Sequence, residues 1–113
     1  MKKENSVLVS LYETLNKDNR PIWKKIAAEL CKARRSKTEV NLNKLDTFAT
    51  DGKTLIVPGK VLGSGILKKK VHVAAFAFSE SAKKLILHAG GKVMSIEALY
   101  SQNPSGDSIL IIK

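Results

Sequence analysis

Val7, Leu8, Leu11 and Leu15 recur at short helical intervals, with Ser10, Glu13 and Asn16 between them. This period predicts an amphipathic helix whose start Asn5 or Ser6 can cap. Lys17-Asp18-Asn19-Arg20 interrupts the pattern. Pro21 then suits the first turn of a second helix, where its missing N–H has no partner to lose. On that helix Ile22, Trp23, Ile26, Ala27 and Leu30 gather on one arc, while Lys24, Lys25, Lys32 and Arg35 project elsewhere. Trp23 falls in the middle of the apolar arc, so it reads first as core and only weakly as a platform for stacking a base. Leu42, Leu45 and Ala49 share a helical spacing that predicts a short helix, and Asp51-Gly52 marks a turn.

From residue 54 the pattern changes. Thr54-Leu55-Ile56-Val57 is a β-branched apolar run that predicts a strand ending at Pro58-Gly59. A second strand is predicted from Val71 to Phe78, and its nearly unbroken apolar character implies burial on both faces. Gly63-Ser64-Gly65 reads as a tight connection between these two strands. Ser79 can cap a helix carrying Ala82, Leu85, Ile86 and Ala89 on one face, which Gly90-Gly91 ends. Val93-Met94 reads as a short strand, and Ser95 caps a brief helix with Ile96, Leu99 and Tyr100. Asn103-Pro104-Ser105-Gly106 makes a turn before a closing buried strand, Ile109 to Ile112. The strand, helix and strand from Val71 to Met94 form a crossover unit. The expected fold class is therefore α/β, in one compact domain with a helical amino-terminal lobe over residues 1–50 and an α/β lobe over 51–113.

Charge adds what the pattern lacks. Twenty Lys and Arg against ten Asp and Glu leave a formal net charge of +10 on 113 residues. A polyanion is the expected partner, held by phosphate contacts that each lower log K by roughly 0.7–0.9 per tenfold rise in salt. A membrane is not expected, because the apolar stretch from Val7 is broken by Ser10 and Glu13 and no segment reaches spanning length. The chain reads as soluble and cytoplasmic.

Candidate chemistry is sparse. Cys31 is the only cysteine, so no disulfide can form within the chain and no thiolate cluster exists for zinc. His72 falls in an apolar strand and His88 near a helix end, where structural roles are commoner than catalysis. No carboxylate pair, metal-ligand spacing or nucleophile elbow is present. Gly63-Ser64-Gly65 lacks the third glycine of a dinucleotide loop and is followed by no Gly-Lys-Ser/Thr. No catalytic residue, metal, cofactor or small-molecule substrate is expected.

Cations are better placed. Lys32-Ala-Arg34-Arg35-Ser-Lys37 puts four positive charges in six residues, more than the helix dipole there calls for. Arg34 and Arg35 can grip phosphate through paired hydrogen bonds or stack on a base, whereas lysine supplies point charge. Lys60, Lys68, Lys69 and Lys70 flank the glycine loop, as phosphate contacts or as a solvated charge run.

The stretches Val57-Pro58-Gly59-Lys60-Val61-Leu62-Gly63-Ser64-Gly65, Val73-Ala74-Ala75, Phe78-Ser79-Glu80-Ser81-Ala82 and Ala89-Gly90-Gly91-Lys92-Val93 resemble one known family. It is the archaeal form of large-subunit ribosomal protein eighteen-e, related to bacterial large-subunit protein fifteen. Trp23, Arg34-Arg35, Glu39-Val40-Asn41-Leu42, and the ending Asn103-Pro104 through Ile111-Ile112-Lys113 are similar to the same family, so the resemblance spans nearly the whole chain. It implies a compact α/β domain with irregular strand-strand-helix units and a helical amino-terminal region. It also implies a non-catalytic role on the ribosome, binding large-subunit ribosomal RNA beside neighbouring large-subunit proteins. Carried over by position, the RNA-facing candidates are Arg34, Arg35 and Lys60, with Lys37, Lys68, Lys69 and Lys70 added on charge. The amino terminus departs from the family pattern, offering Lys2 and Lys3 in place of an arginine-bearing extension.

Two competitors compete with this reading. A helix-turn-helix DNA binder would use the first two helices, with Lys24, Lys25 and Lys32 on the recognition helix; that helix offers few side chains for base edges, and its connector has no glycine. A phosphate-ligand enzyme built on the Gly63 loop would lack an acid, a base and a metal.

Overall fold

The computed structural model describes residues 6–32, 39–50 and 52–112. Helices α1 (Ser6–Asn16) and α2 (Pro21–Lys32) form where the apolar period predicts them. They are followed by β1 (Glu39–Asn41), α3 (Leu42–Phe48), β2 (Thr54–Leu62), β3 (His72–Phe78), α4 (Glu80–His88), β4 (Lys92–Ser95), α5 (Ile96–Gln102) and β5 (Ile109–Ile111). Three of the helices begin on a side chain that accepts an amide of the first turn: Asn41 from Lys44, Ser79 from Ala82 and Ser95 from Ala98. Asn5 lies outside the described residues.

All the strand pairs are parallel. β2 sits between β3 on one side and, on the other, two short strands placed end to end. β5 runs along Thr54–Ile56 and β1 along Lys60–Leu62. Between those segments lie Pro58 and Gly59, where the register with β3 also shifts. The expected strand end at Pro58-Gly59 is thus corrected: the strand continues to Leu62 through a bulge. A proline cannot donate to a ladder, and it is tolerated here because no neighbour needs its N–H.

Because side chains alternate along a strand, the sheet buries two cores. Leu55, Val57, Val73 and Ala75 face Leu42, Leu45, Ala82 and Ile86 of α3 and α4. Ile56 and Ala74 face Leu11, Leu15, Trp23, Ile26, Ala27, Ile96 and Leu99 of α1, α2 and α5. The residues before position 51 therefore divide between the layers, with α1 and α2 on one face, β1 in the sheet and α3 on the other face. The β3–α4–β4 crossover forms as expected.

Other expectations need correction. Parallel β2 and β3 cannot be joined by a tight turn, so Gly63-Ser64-Gly65 opens a long return running to Val71. β3 is buried on both faces only over Val73–Ala75, and Phe76 is exposed. β5 lies at the sheet edge, so Leu110 is exposed; Leu85 lies on the flank of the apolar face of α4 and is likewise exposed. Gly91 meets the residue before β3 so closely that a Cβ would overlap the Val71 carbonyl oxygen, which explains the glycine at that position.

Candidate nucleic-acid interface

The return from β2 to β3 is laid along α3 by two of its side chains. Asn43 Oδ1 accepts the Ile66 amide at 2.9 Å, and Asp46 Oδ1 accepts the amides of Lys68 and Lys69 at 2.9 and 3.0 Å. The spacing of Asn43 and Asp46 puts them on one face of the helix, one turn apart. Gly65 has φ +93, and a Cβ there would fall 2.7 Å from the Asn43 side chain, so the loop needs glycine twice over. The backbone of the lysine triplet is thereby fixed while Lys68, Lys69 and Lys70 are left exposed.

These hydrogen bonds favour the charged form of Asp46, from Lys68 first and Lys69 second, and hold its carboxyl below the ordinary 3.8. The folded value being depressed, the contribution to stability is present above the unfolded value of about 3.9 and is lost as pH falls through the folded one. In an NMR titration the Lys68 and Lys69 amides are expected to shift together, with a midpoint below 3.8. A midpoint at or above that value, or no shift, would show that Asp46 does not hold the loop.

The register spreads the predicted cations apart. Lys60 is exposed on β2 beside Glu39 and Ala77, near the carboxyl ends of the strands. The lysine triplet leads into His72, whose Cα partner is Thr54, at the amino ends. Thr54 to Lys60 spans about 20 Å of strand. The structure therefore brings Lys68, Lys69 and Lys70 together and does not join Lys60 to them. Arg34, Arg35 and Lys37 lie outside the described residues, as do the side chains of Lys32 and Cys31.

One neighbour of the triplet was not singled out from sequence. Lys92 is exposed, pairs with His72, and donates its amide to the Val71 carbonyl at 3.0 Å. The Lys70 side chain reaches to within 4.0 Å of where a Gly90 Cβ would stand. Lys53, next to Thr54, is exposed at the same end of the sheet. Cations from three consecutive strands thus collect where sequence shows only one run; Lys92, single and next to two glycines, carries no local signal.

The arrangement offers point charge on a fixed backbone, suited to phosphate and not to bond making. Among the described residues no group of His, Cys, Asp or Glu forms a metal-ligand cluster. None of the described helices is long and apolar enough to cross a membrane. On α2, Trp23, Ile26 and Ala27 are buried and Lys24 Nζ donates to the Asn16 carbonyl at 2.8 Å, which ties up a lysine that a recognition helix would turn to DNA.

Residues 2–113 match the family described as ribosomal protein 60S L18 and 50S L18e. Among similar proteins, the large ribosomal subunit protein eL18 of Methanococcus maripaludis is 46% identical over 110 residues, covering 97% of this chain and 92% of the relative. That of Archaeoglobus fulgidus is 43% identical over 116 residues, covering 99% of each. That of Methanospirillum hungatei is 44% identical over 115 residues, covering 98% and 95%.

Proposed function

We propose that this chain, which belongs to the ribosomal protein 60S L18 and 50S L18e family, is a structural constituent of the large ribosomal subunit that holds folded large-subunit RNA through a basic surface. The observation that carries this reading is the match across residues 2–113, together with relatives matched over 92–99% of their own length and named as large-subunit proteins. Its role is structural and not enzymatic, and it is exercised in the cytoplasm on the ribosome.

The physics of the surface supports the same reading. Lys68, Lys69 and Lys70 stand exposed on a loop whose backbone is anchored, so their charge is presented without the cost of ordering the chain. Lysines supply charge without base readout, and A-form RNA is recognised mainly through backbone and shape. Lys60 offers a separate contact at the other end of β2, and Arg34, Arg35 and Lys37 are further candidates on the segment entering β1. Neighbouring large-subunit proteins are the expected protein partners.

Fractionation tests the assignment directly. Lysate from cells that make the protein, resolved on a sucrose gradient, is expected to contain it stoichiometrically in the large-subunit peak by mass spectrometry. Recovery as free protein, or on DNA, would overturn the assignment.

A further inference from the structure

Across the sheet from the lysine loop, the turn between α1 and α2 opens a cleft of about 370 Å³ lined by Thr14, Lys17, Asp18, Asn19, Arg20 and Tyr100. At its centre the Asp18 carboxylate is fully engaged. Its Oδ1 accepts the Arg20 amide at 2.8 Å, and its Oδ2 accepts the Tyr100 hydroxyl at 2.6 Å and Arg20 Nη1 at 3.2 Å. The hydrogen bond from Tyr100 does most to keep Asp18 ionised, and Asp18 in turn holds the Tyr100 proton in place. Arg20 Nη1 also donates to the Pro104 carbonyl at 2.5 Å.

One nitrogen of the guanidinium thus does all the tethering. The Arg20 side chain is still 49% exposed, and its Nε and Nη2 have no protein acceptor among the described residues. Lys17 and Asn19 are exposed beside it, and their side chains have no partner among the described residues. Glu13, one turn earlier on α1, makes no ion pair with Lys17. An anion entering this cleft would meet a pre-oriented arginine fork, a free ammonium and an amide, with both oxygens of the one lining carboxylate already taken by hydrogen bonds from Arg20 and Tyr100. A planar arginine held in place suits a phosphate oxygen pair.

We propose that this cleft takes two adjacent phosphates of a second RNA segment, so that the protein joins two stretches of ribosomal RNA, one at the lysine loop and one at the α1–α2 turn. The proposal rests on the RNA-holding reading above and adds a contact to it. The two sites lie over opposite faces of the sheet, since α3 anchors the loop on one face and α1, α2 and α5 build the cleft on the other. One continuous RNA groove does not serve both.

The test is binding of the full chain to deproteinised large-subunit RNA from Methanococcus maripaludis, with a hydroxyl-radical footprint of each complex. The wild type is expected to protect two separated RNA segments. Lys17→Gln with Arg20→Gln should erase one footprint and weaken binding roughly 25- to 60-fold at 0.1 M salt, the counterion term for two phosphates. Replacing Lys68, Lys69 and Lys70 should erase the other. Lys17→Gln alone guards against misfolding, because its side chain has no contact to lose, and should lower the salt slope by roughly 0.7–0.9. If the Lys17 variants leave footprint and slope unchanged while the lysine loop still matters, the cleft is only a tether and the proposal falls alone. If the wild type binds no RNA, the RNA-holding reading falls with it.

Discussion

Trp23→Ala is expected to remove about 4–5 kcal/mol of folding stability, the upper range for truncating a buried tryptophan. The indole is completely buried in the core shared by α1, α2, α5 and the sheet. Its ring meets Tyr100 edge-on, with centroids 4.8 Å apart at 84°, a geometry worth about 0.5–1.5 kcal/mol beyond area alone. Its Nε1 donates to the Pro104 carbonyl at 2.8 Å, so the same residue fastens the α5–β5 connection. Domains of this size are stable by about 5–15 kcal/mol, so the variant should stand at the edge of unfolding. Urea denaturation followed by circular dichroism measures the loss. Trp23→Phe keeps the ring contact and loses the donor, and its cost should be about 1–2 kcal/mol. A loss below 1 kcal/mol for Trp23→Ala would mean that the α1–α2 layer contributes little to the cooperative fold.

The helices of both cores are legible because each of them carries its own signal. The spacing of Leu11 and Leu15, Pro21 before the apolar arc, and the capping Ser79 and Ser95 are local features, and each helix they mark is present. What escaped reading depends on contacts between distant positions. Glu39-Val40-Asn41 is too short to show alternation and becomes a strand only because Lys60–Leu62 offers it an edge. Pro58-Gly59 looks like a strand end, and is not one because β5 and β1 leave a gap opposite it. The site divides in the same way. Lys68, Lys69 and Lys70 were visible as a charge run, but their anchoring by Asp46 lies 22 and 23 residues away in sequence. Arg20 sits in the helix break with Asp18 only two residues away, but its second acceptor, Pro104, lies 84 residues on and is brought to it where Trp23 of α2 meets Tyr100 of α5.

Replacing Lys68, Lys69 and Lys70 together with glutamine is expected to weaken binding to large-subunit RNA by roughly 100- to 500-fold at 0.1 M salt, with the fold unchanged. The factor follows from three lost phosphate contacts at 0.7–0.9 log units each, and the slope of log K against log salt should shallow by roughly 2.1–2.7. Stability is spared because Asp46 accepts backbone amides, which glutamine retains, and because exposed substitutions of this kind usually cost within about 0.5 kcal/mol. Lys60→Gln, at the far end of β2, removes at most one contact and should cost roughly 5- to 8-fold. Arginine at positions 68–70 restores the charge and should restore the slope. Filter binding at four salt concentrations distinguishes the outcomes. A change below threefold with the slope intact would make the triplet a solvated loop and move the RNA contact to the basic segment before β1. The graded expectation, three charges on the loop against one on β2, counts contacts directly: each lysine that meets a phosphate costs roughly 0.7–0.9 log units, and a lysine that meets none leaves the slope unchanged.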